Sequence, residues 1–352
     1  MPNNYDLFTT ATMLKAVELM KPVPRFLGDM FCVDDGTSDD DRLFYDFRKG
    51  RRTGLAPFVV PGTGGVSMDR EGFEMRQVKF SRMAPQRDVT LNDISVRSFG
   101  ENVIGGMTPA ERSKKKIAED MKFLRTVNQN RRNWMVREVL LKGKLEITRY
   151  TSAGREKSAS MVADFGFENF YVPAVKWNQS GAKFEYDFEK MFEIIMEEGG
   201  DVDTLVMASD VFECMMNNEA YLKTLDLKNA DLGELRTKYA GQGIFFRGWT
   251  RNGIQIVTDI AKFLNDDHVV EYELPSGTIL CASTVKKPLK MKHGPVTKVV
   301  GVDDKSQHVT YVKKEVPFRI GDGDSDTITT RMVSCPTIIP DNVGGWGIMK
   351  VL

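Results

Sequence analysis

Three histidines, His268, His293 and His308, are the only imidazoles in the chain, and their spacing limits the chemistry they could share. None stands in an i,i+4 pair or an H-x-E arrangement, so no zinc-type site is expected from them, and exposed or loop positions are. In GDGDSDT, Asp322, Asp324 and Asp326 alternate as calcium-loop ligands do. Such a loop then requires glycine at its sixth position and glutamate at its twelfth. Thr327 and Val333 stand there, so a polar turn ahead of a strand is expected, with weak cation binding as the alternative. PGTGG, Pro61 to Gly65, has the glycines of a phosphate cradle but no following Lys-Ser/Thr and no strand-to-helix setting, which leaves a hairpin tip. No G-x-S-x-G elbow and no Cys/His nucleophile motif occurs. Cys32, Cys214, Cys281 and Cys335 lie far apart without C-x-x-C spacing, the pattern of reduced thiols rather than disulfides or zinc ligands. No catalytic residue, no metal ligand and no cofactor is expected.

The composition points the same way. The chain has 352 residues, 41% of them hydrophobic and 28% charged, with 49 Lys+Arg against 49 Asp+Glu. That length gives a prior of about two domains and allows a substantial core. A dedicated nucleic-acid binder usually carries a basic excess, which is missing here. Zero net charge promotes association, a liability in most soluble proteins but permitted in one whose task is to associate. MPNNYDLFTT lacks the basic and apolar regions of a secretion signal, and no apolar run approaches the roughly 18 residues of a membrane span. The expectation is a soluble, cytosolic chain.

The elements that would position any site follow from periodicity. Residues 9 to 20 read as a short amphipathic helix, with Met13, Leu14, Val17 and Met20 at helical spacing, stopped by Pro22 and Pro24. The acidic VDDGTSDDD after it reads as an extended connector. RLFYDFRKG and EMRQVKFSRM read as two strands joined by a long Gly/Pro-rich segment, a protruding hairpin that needs a surface to lie on. Thr108-Pro109-Ala110-Glu111 is a capping box with proline at the first helical position. Periodicity then runs to Lys142, where Gly143 supplies the stop, giving a helix roughly 50 Å long. Its seam is thin: Ile117, Met121, Leu124, Asn128, Arg131, Met135 and Val139. Such a helix reads as a strut lying across a sheet, although on this feature alone an exposed helix of an enzyme fits as well.

KLEITRY and SASMVADFG flank TSAGRE as a hairpin. Asp187 is expected to cap a helix containing Phe188, Phe192 and Ile195. A buried strand (TLVMAS), a helix from about Val211 to Leu225, strands at GIFFRGW and IQIVTDI, and GTILCAST complete an α+β region. DTITTRMVSCPTIIP and WGIMKVL read as a terminal strand pair.

Several stretches, in order, resemble the lambda-type phage major capsid proteins, the capsid protein E family. TTATMLKAVELMKPVPRFLGDMF resembles that family's N-terminal helix and proline-containing stretch, and VREVLLKGKLEIT its long helix running into Leu-Lys-Gly-Lys and a strand. DFGFENFYVPAVKWNQSG, PSGTILCAST and TRMVSCPTIIPDNVGGWGIMKVL resemble the later segments. No one motif is specific; order and spacing carry the resemblance.

It implies an HK97-type capsid fold, in five parts. These are an N-terminal arm (1–41), an extended loop (42–90), a peripheral domain (91–187) with its spine helix (108–142), an axial domain (188–318), and return strands of the peripheral domain (319–352). The function implied is assembly of pentamers and hexamers into an icosahedral head that encloses double-stranded DNA without sequence-specific binding. Portal, scaffolding and decoration proteins are the implied partners, with no membrane involved. The virion is the implied location, after assembly in the host cytoplasm.

Subunit contacts would fall on Phe8, Met13, Leu14 and Val17 of the arm and on Phe58, Val59, Val60, Gly64, Asp69 and Arg70 of the loop. The spine seam would be Ile117, Met121, Leu124, Arg131 and Met135. Lys79 lies in the loop region, but no isopeptide crosslink is expected. An encapsulin-like compartment shell, sharing the fold, is the alternative, and an enzyme of a divergent family is a second.

Overall fold

The computed structural model describes residues 10–21, 23–47, 74–96, 107–150, 156–218, 239, 241–250, 252–300, 307–322 and 327–352. In chain order the amino-terminal elements are α1 (Thr10–Leu19), α2 (Phe26–Phe31), β1 (Cys32–Thr37), β2 (Arg42–Phe47), β3 (Glu74–Lys79), β4 (Gln86–Val89) and α3 (Leu91–Ser95). The long helix α4 (Pro109–Lys142) leads into β5 (Lys144–Tyr150), β6 (Lys157–Asp164) and β7 (Phe170–Tyr171). The middle holds α5 (Phe184–Glu197), β8 (Thr204–Ala208), α6 (Ser209–Met216), β9 (Ile244–Trp249) and β10 (Gln255–Asp259). Then come β11 (Lys262–Leu264), β12 (Val270–Tyr272), β13 (Thr278–Ala282), β14 (Leu289–His293), β15 (Val296–Val300) and β16 (Gln307–Tyr311). The last elements are β17 (Val316–Asp322), β18 (Thr327–Val333), β19 (Pro336–Pro340) and β20 (Trp346–Lys350).

The long helix forms as its sequence dictates. The Thr108 hydroxyl accepts from the Glu111 amide while Glu111 accepts from the Thr108 amide, so two orphan donors are satisfied. At the far end Gly143 takes a left-handed conformation with φ of 67° and donates to Val139 O at 2.8 Å. Its missing side chain also matters, because a Cβ there would lie 2.1 Å from that of Phe167.

The central sheet has six strands in the order β7-β20-β13-β8-β10-β9, with β8 and β10 parallel and β13 antiparallel to both β8 and β20. Every residue of β8 and β13 is buried. Strand β20 shows how. Gly347 faces α5, where any Cβ would collide with Met191, while Trp346 turns to the other face. There its indole donates to Leu140 O of α4 at 2.9 Å and stacks on Phe167 with centroids 4.7 Å apart. A three-stranded sheet, β17-β18-β4, lies under the amino-terminal half of α4; a second, β1-β14-β19, adjoins it.

Several expectations change. The terminal strands do not pair with each other: β18 joins β17 and β4, β19 joins β14, and β20 enters the six-stranded sheet. A boundary at residue 319 would therefore cut the β17–β18 hairpin and separate β20 from its sheet. Strand β4 pairs with β18, so the hairpin thought to extend to residue 90 is held by β2 and β3 alone. The acidic connector contains β1, a parallel partner of β14 with mostly exposed side chains. It was hidden because its pairing is made by backbone groups that composition does not report. Helix α5 begins at Phe184, with Asp187 inside it rather than capping it. Helix α6 ends at Met216, with Asn217 and Asn218 already out of the helix; residues 219–225 of the stretch expected to be helical lie outside the described residues.

Candidate assembly surfaces

The arm helix settles on its own chain. Met13 and Val17 are 2% and 4% exposed and pack with Val89, Ile117, Met121, Leu124 and Met332 in a small core of their own. Arg125 of α4 donates to the carbonyls of Val17 and Met20 at 2.7 and 2.6 Å, closing the open end of α1. These two residues, expected to reach a neighbouring subunit, are covered within one chain, because a helix with a two-residue apolar face finds the nearest apolar groove. Leu14 is half-buried at the edge of the main core, and Phe8 lies outside the described residues.

The seam of α4 runs through Ile117, Met121, Leu124, Asn128 and Met135, all buried. Arg131 is not part of it: it pairs with Asp266 and lies over the Trp134 ring, 4.6 Å from its centroid. The seam passes through Arg132 instead, which pairs with Glu315 at 2.8 Å. Arg125 reaches the other oxygen of Glu315 at 3.2 Å, so one buried glutamate ties two turns of the helix to the segment ahead of β17. Sequence reading missed this bridge. Two arginines seven residues apart on the seam side were the available signal, since charge at such positions needs a buried partner.

At the hairpin base, Leu43, Tyr45 and Val78 face inward and are buried, while Phe44 and Met75 point outward, 57% and 67% exposed. Lys79 lies 3.5 Å from Asp41, both exposed. Phe58, Val59, Val60, Gly64, Asp69 and Arg70, and the PGTGG glycines among them, lie outside the described residues.

Polar groups near the six-stranded sheet are structural in arrangement. Asp187 accepts from Tyr171 Oη at 2.8 Å and Trp177 Nε1 at 2.9 Å, and burial followed by that carboxylate pushes the Tyr171 phenol up to about 12. Asp203 accepts from Ser283 Oγ and the Thr284 amide, pinning the turn after β13. His293, expected at the surface, is 1% exposed in β14. Burial, then Arg132, drives its pKa down to about 4. It lines a cleft of about 1030 Å³ between the arm connector, α4 and β1, together with Arg125, Arg132 and Glu315. The four cysteines are unpaired, and burial raises Cys32 to about 12 and Cys335 to about 11, which leaves them protonated and unreactive. Among the described residues no cluster of three or more His, Cys, Asp or Glu could hold a metal, and no helix is long and apolar enough to cross a membrane.

What the molecule offers, then, is a long capped helix across a small sheet, a mixed α/β core at one end and thin projecting elements. That is the architecture of the HK97-type shell proteins. A prophage protein of Escherichia coli CFT073, provisionally described as its capsid protein, superimposes over 99% of this chain and 98% of its own with a TM-score of 0.66, at 16% identity. The mature capsid subunit of bacteriophage PhiM1 aligns over 94% and 88% with a TM-score of 0.44 and 11% identity. An encapsulin of Synechococcus elongatus PCC 7942 aligns over 96% and 95%, with 0.42 and 9%. A search of curated protein sequences finds no match. The family model described as phage major capsid protein E matches residues 9–316, and the chain belongs to that family, the major capsid proteins of tailed phages.

Proposed function

We propose that this major capsid protein builds a closed icosahedral head in which the region around the six-stranded sheet clusters at five- and six-fold axes. The extended loop (42–90) reaches adjacent subunits, as does the arm (1–41) outside the Met13 and Val17 face that its own chain covers; 91–187 forms the peripheral part around the spine, and 188–318 the axial part. Residues 319–352 are shared between the two parts, with β20 in the axial sheet. The observation that carries the reading is the family match across residues 9–316. It is supported by outward apolar side chains on thin elements, Phe44 and Met75 on one hairpin and Leu264, Val270 and Tyr272 on another, the kind of surface that a second copy covers. The contribution to the virion is structural, with no catalytic step.

Zero net charge suits a wall against packaged double-stranded DNA, because phosphate binding scales with the number of cationic contacts. Assembly takes place in the host cytoplasm, with portal, scaffolding and decoration proteins as partners. Concentrated full-length protein viewed by negative-stain microscopy should show closed shells or capsomers; only isolated monomers at every concentration would sink the proposal. Denaturing gels of the particles should give one band near 39.7 kDa, with a covalent ladder counting against uncrosslinked Lys79.

A further inference from the structure

The hairpin β11–β12 lies against the carboxy-terminal half of α4, and its attachment is built from charged groups buried together. Arg137 of α4 donates to Glu273 O at 2.6 Å and Tyr272 O at 3.3 Å, and its guanidinium lies 4.9 Å from the Phe263 ring centroid. Asn133, one turn earlier, donates to the Glu273 carboxylate at 2.9 Å. At the hairpin tip Arg131 pairs with Asp266. The other end is held by Asp259, the last residue of β10, whose carboxylate accepts from the Ala261 amide at 2.8 Å, while Ala261 O receives the Glu273 amide at 2.8 Å. Asp259 and Glu273 therefore grip the same residue from two sides.

The charges do not balance. Asp259, Glu273 and Glu138 are all at most 9% exposed, and the buried cation among them is Arg137. Arg137 is itself shared with Glu138, which also meets Lys142 from the solvent side. Arg25, from the arm connector, adds a positive field at Glu273. The second oxygen of Asp259 has no hydrogen-bond partner among the described residues. Two buried carboxylates anchored to the same residue, Ala261, with one buried cation nearby cannot both ionise without cost, and protonation of either one relieves it.

We propose that the hairpin spanning residues 260–273 is a proton-controlled latch between α4 and the six-stranded sheet, closed when the Asp259–Glu273 pair holds a proton and loosened when both are ionised. Burial, and then the neighbouring Glu273, raises Asp259 to about 7, and burial raises Glu273 as well, so the transition falls near neutrality. The sign follows from the raised values: the closed state is favoured at low pH, and that advantage is lost as pH climbs from about 4 through 7.

Hydrogen–deuterium exchange on full-length protein, corrected for intrinsic exchange, tests this between pH 5.5 and 8.5. Protection of peptides within 260–273 should fall at least fivefold across the range while β8 and β13 stay constant. Asp259→Asn should hold protection high and level, and Glu273→Gln should flatten the profile in the same way. A level wild-type profile overturns the latch outright, as does an Asp259→Asn profile that still follows pH.

Discussion

The two halves of α4 are the same helix in two different environments. Its carboxy-terminal half, with Val136, Val139 and Leu140 fully buried, is embedded in the main core, where Trp346 hooks its last turn. Its amino-terminal half touches a satellite core of seven buried residues shared with α1, β4 and β18. The difference shows that a continuous helix does not imply continuous rigidity: local stability follows the apolar area behind each turn, not the hydrogen bonds along it. One half is an anchor and the other a lever with a light attachment.

The most severe way to break the contrast is Trp346→Ala. It removes the largest fully buried side chain and a hydrogen bond to the helix end, and should cost about 3–5 kcal/mol, read from the denaturation midpoint. A loss below about 1 kcal/mol would move the anchor elsewhere. Acid comes next. His293 sits beside Arg132, where the two halves meet, and its native pKa of about 4 lies below the unfolded 6.5. Its stabilising contribution is therefore complete above pH 6.5 and is lost as pH falls toward 4, by about 3 kcal/mol at most. His293→Gln should remove that slope in pH-dependent unfolding, and an unchanged slope assigns it to other groups. Met121→Ala should cost about 2 kcal/mol. Exchange of residues 10–20 should quicken while β8 and β13 stay protected; uniform quickening would mean a single core. Thr108→Ala, which removes the capping box, should cost about 1 kcal/mol and fray the first turns of α4, visible in the exchange of peptides spanning 109–116.

Much of this organisation was legible from local rules. Thr108, Pro109, Glu111 and Gly143 fixed both ends of α4 because caps depend on adjacent residues. The strands around TLVMAS and GTILCAST were legible as uninterrupted apolar runs. What escaped was long-range. No local pattern says that an acidic connector pairs in parallel with residues 289–293, or that Arg132 rather than Arg131 faces Glu315, when the two positions differ by about 100° around one helix. Met13 and Val17, expected at a subunit contact, are covered within their own chain for a related reason: a thin apolar face states that it must be covered, but not by which chain.

Strand β20 lies between β7 and β13 in the interior of its sheet, although it is formed by residues 346–350. During synthesis β7, β8, β10 and β13 all emerge first and must wait with a gap between them. The core thus closes only once position 350 has left the ribosome, a delay of seconds at ordinary elongation rates. Products that stop before residue 346 lack the strand that joins the gap.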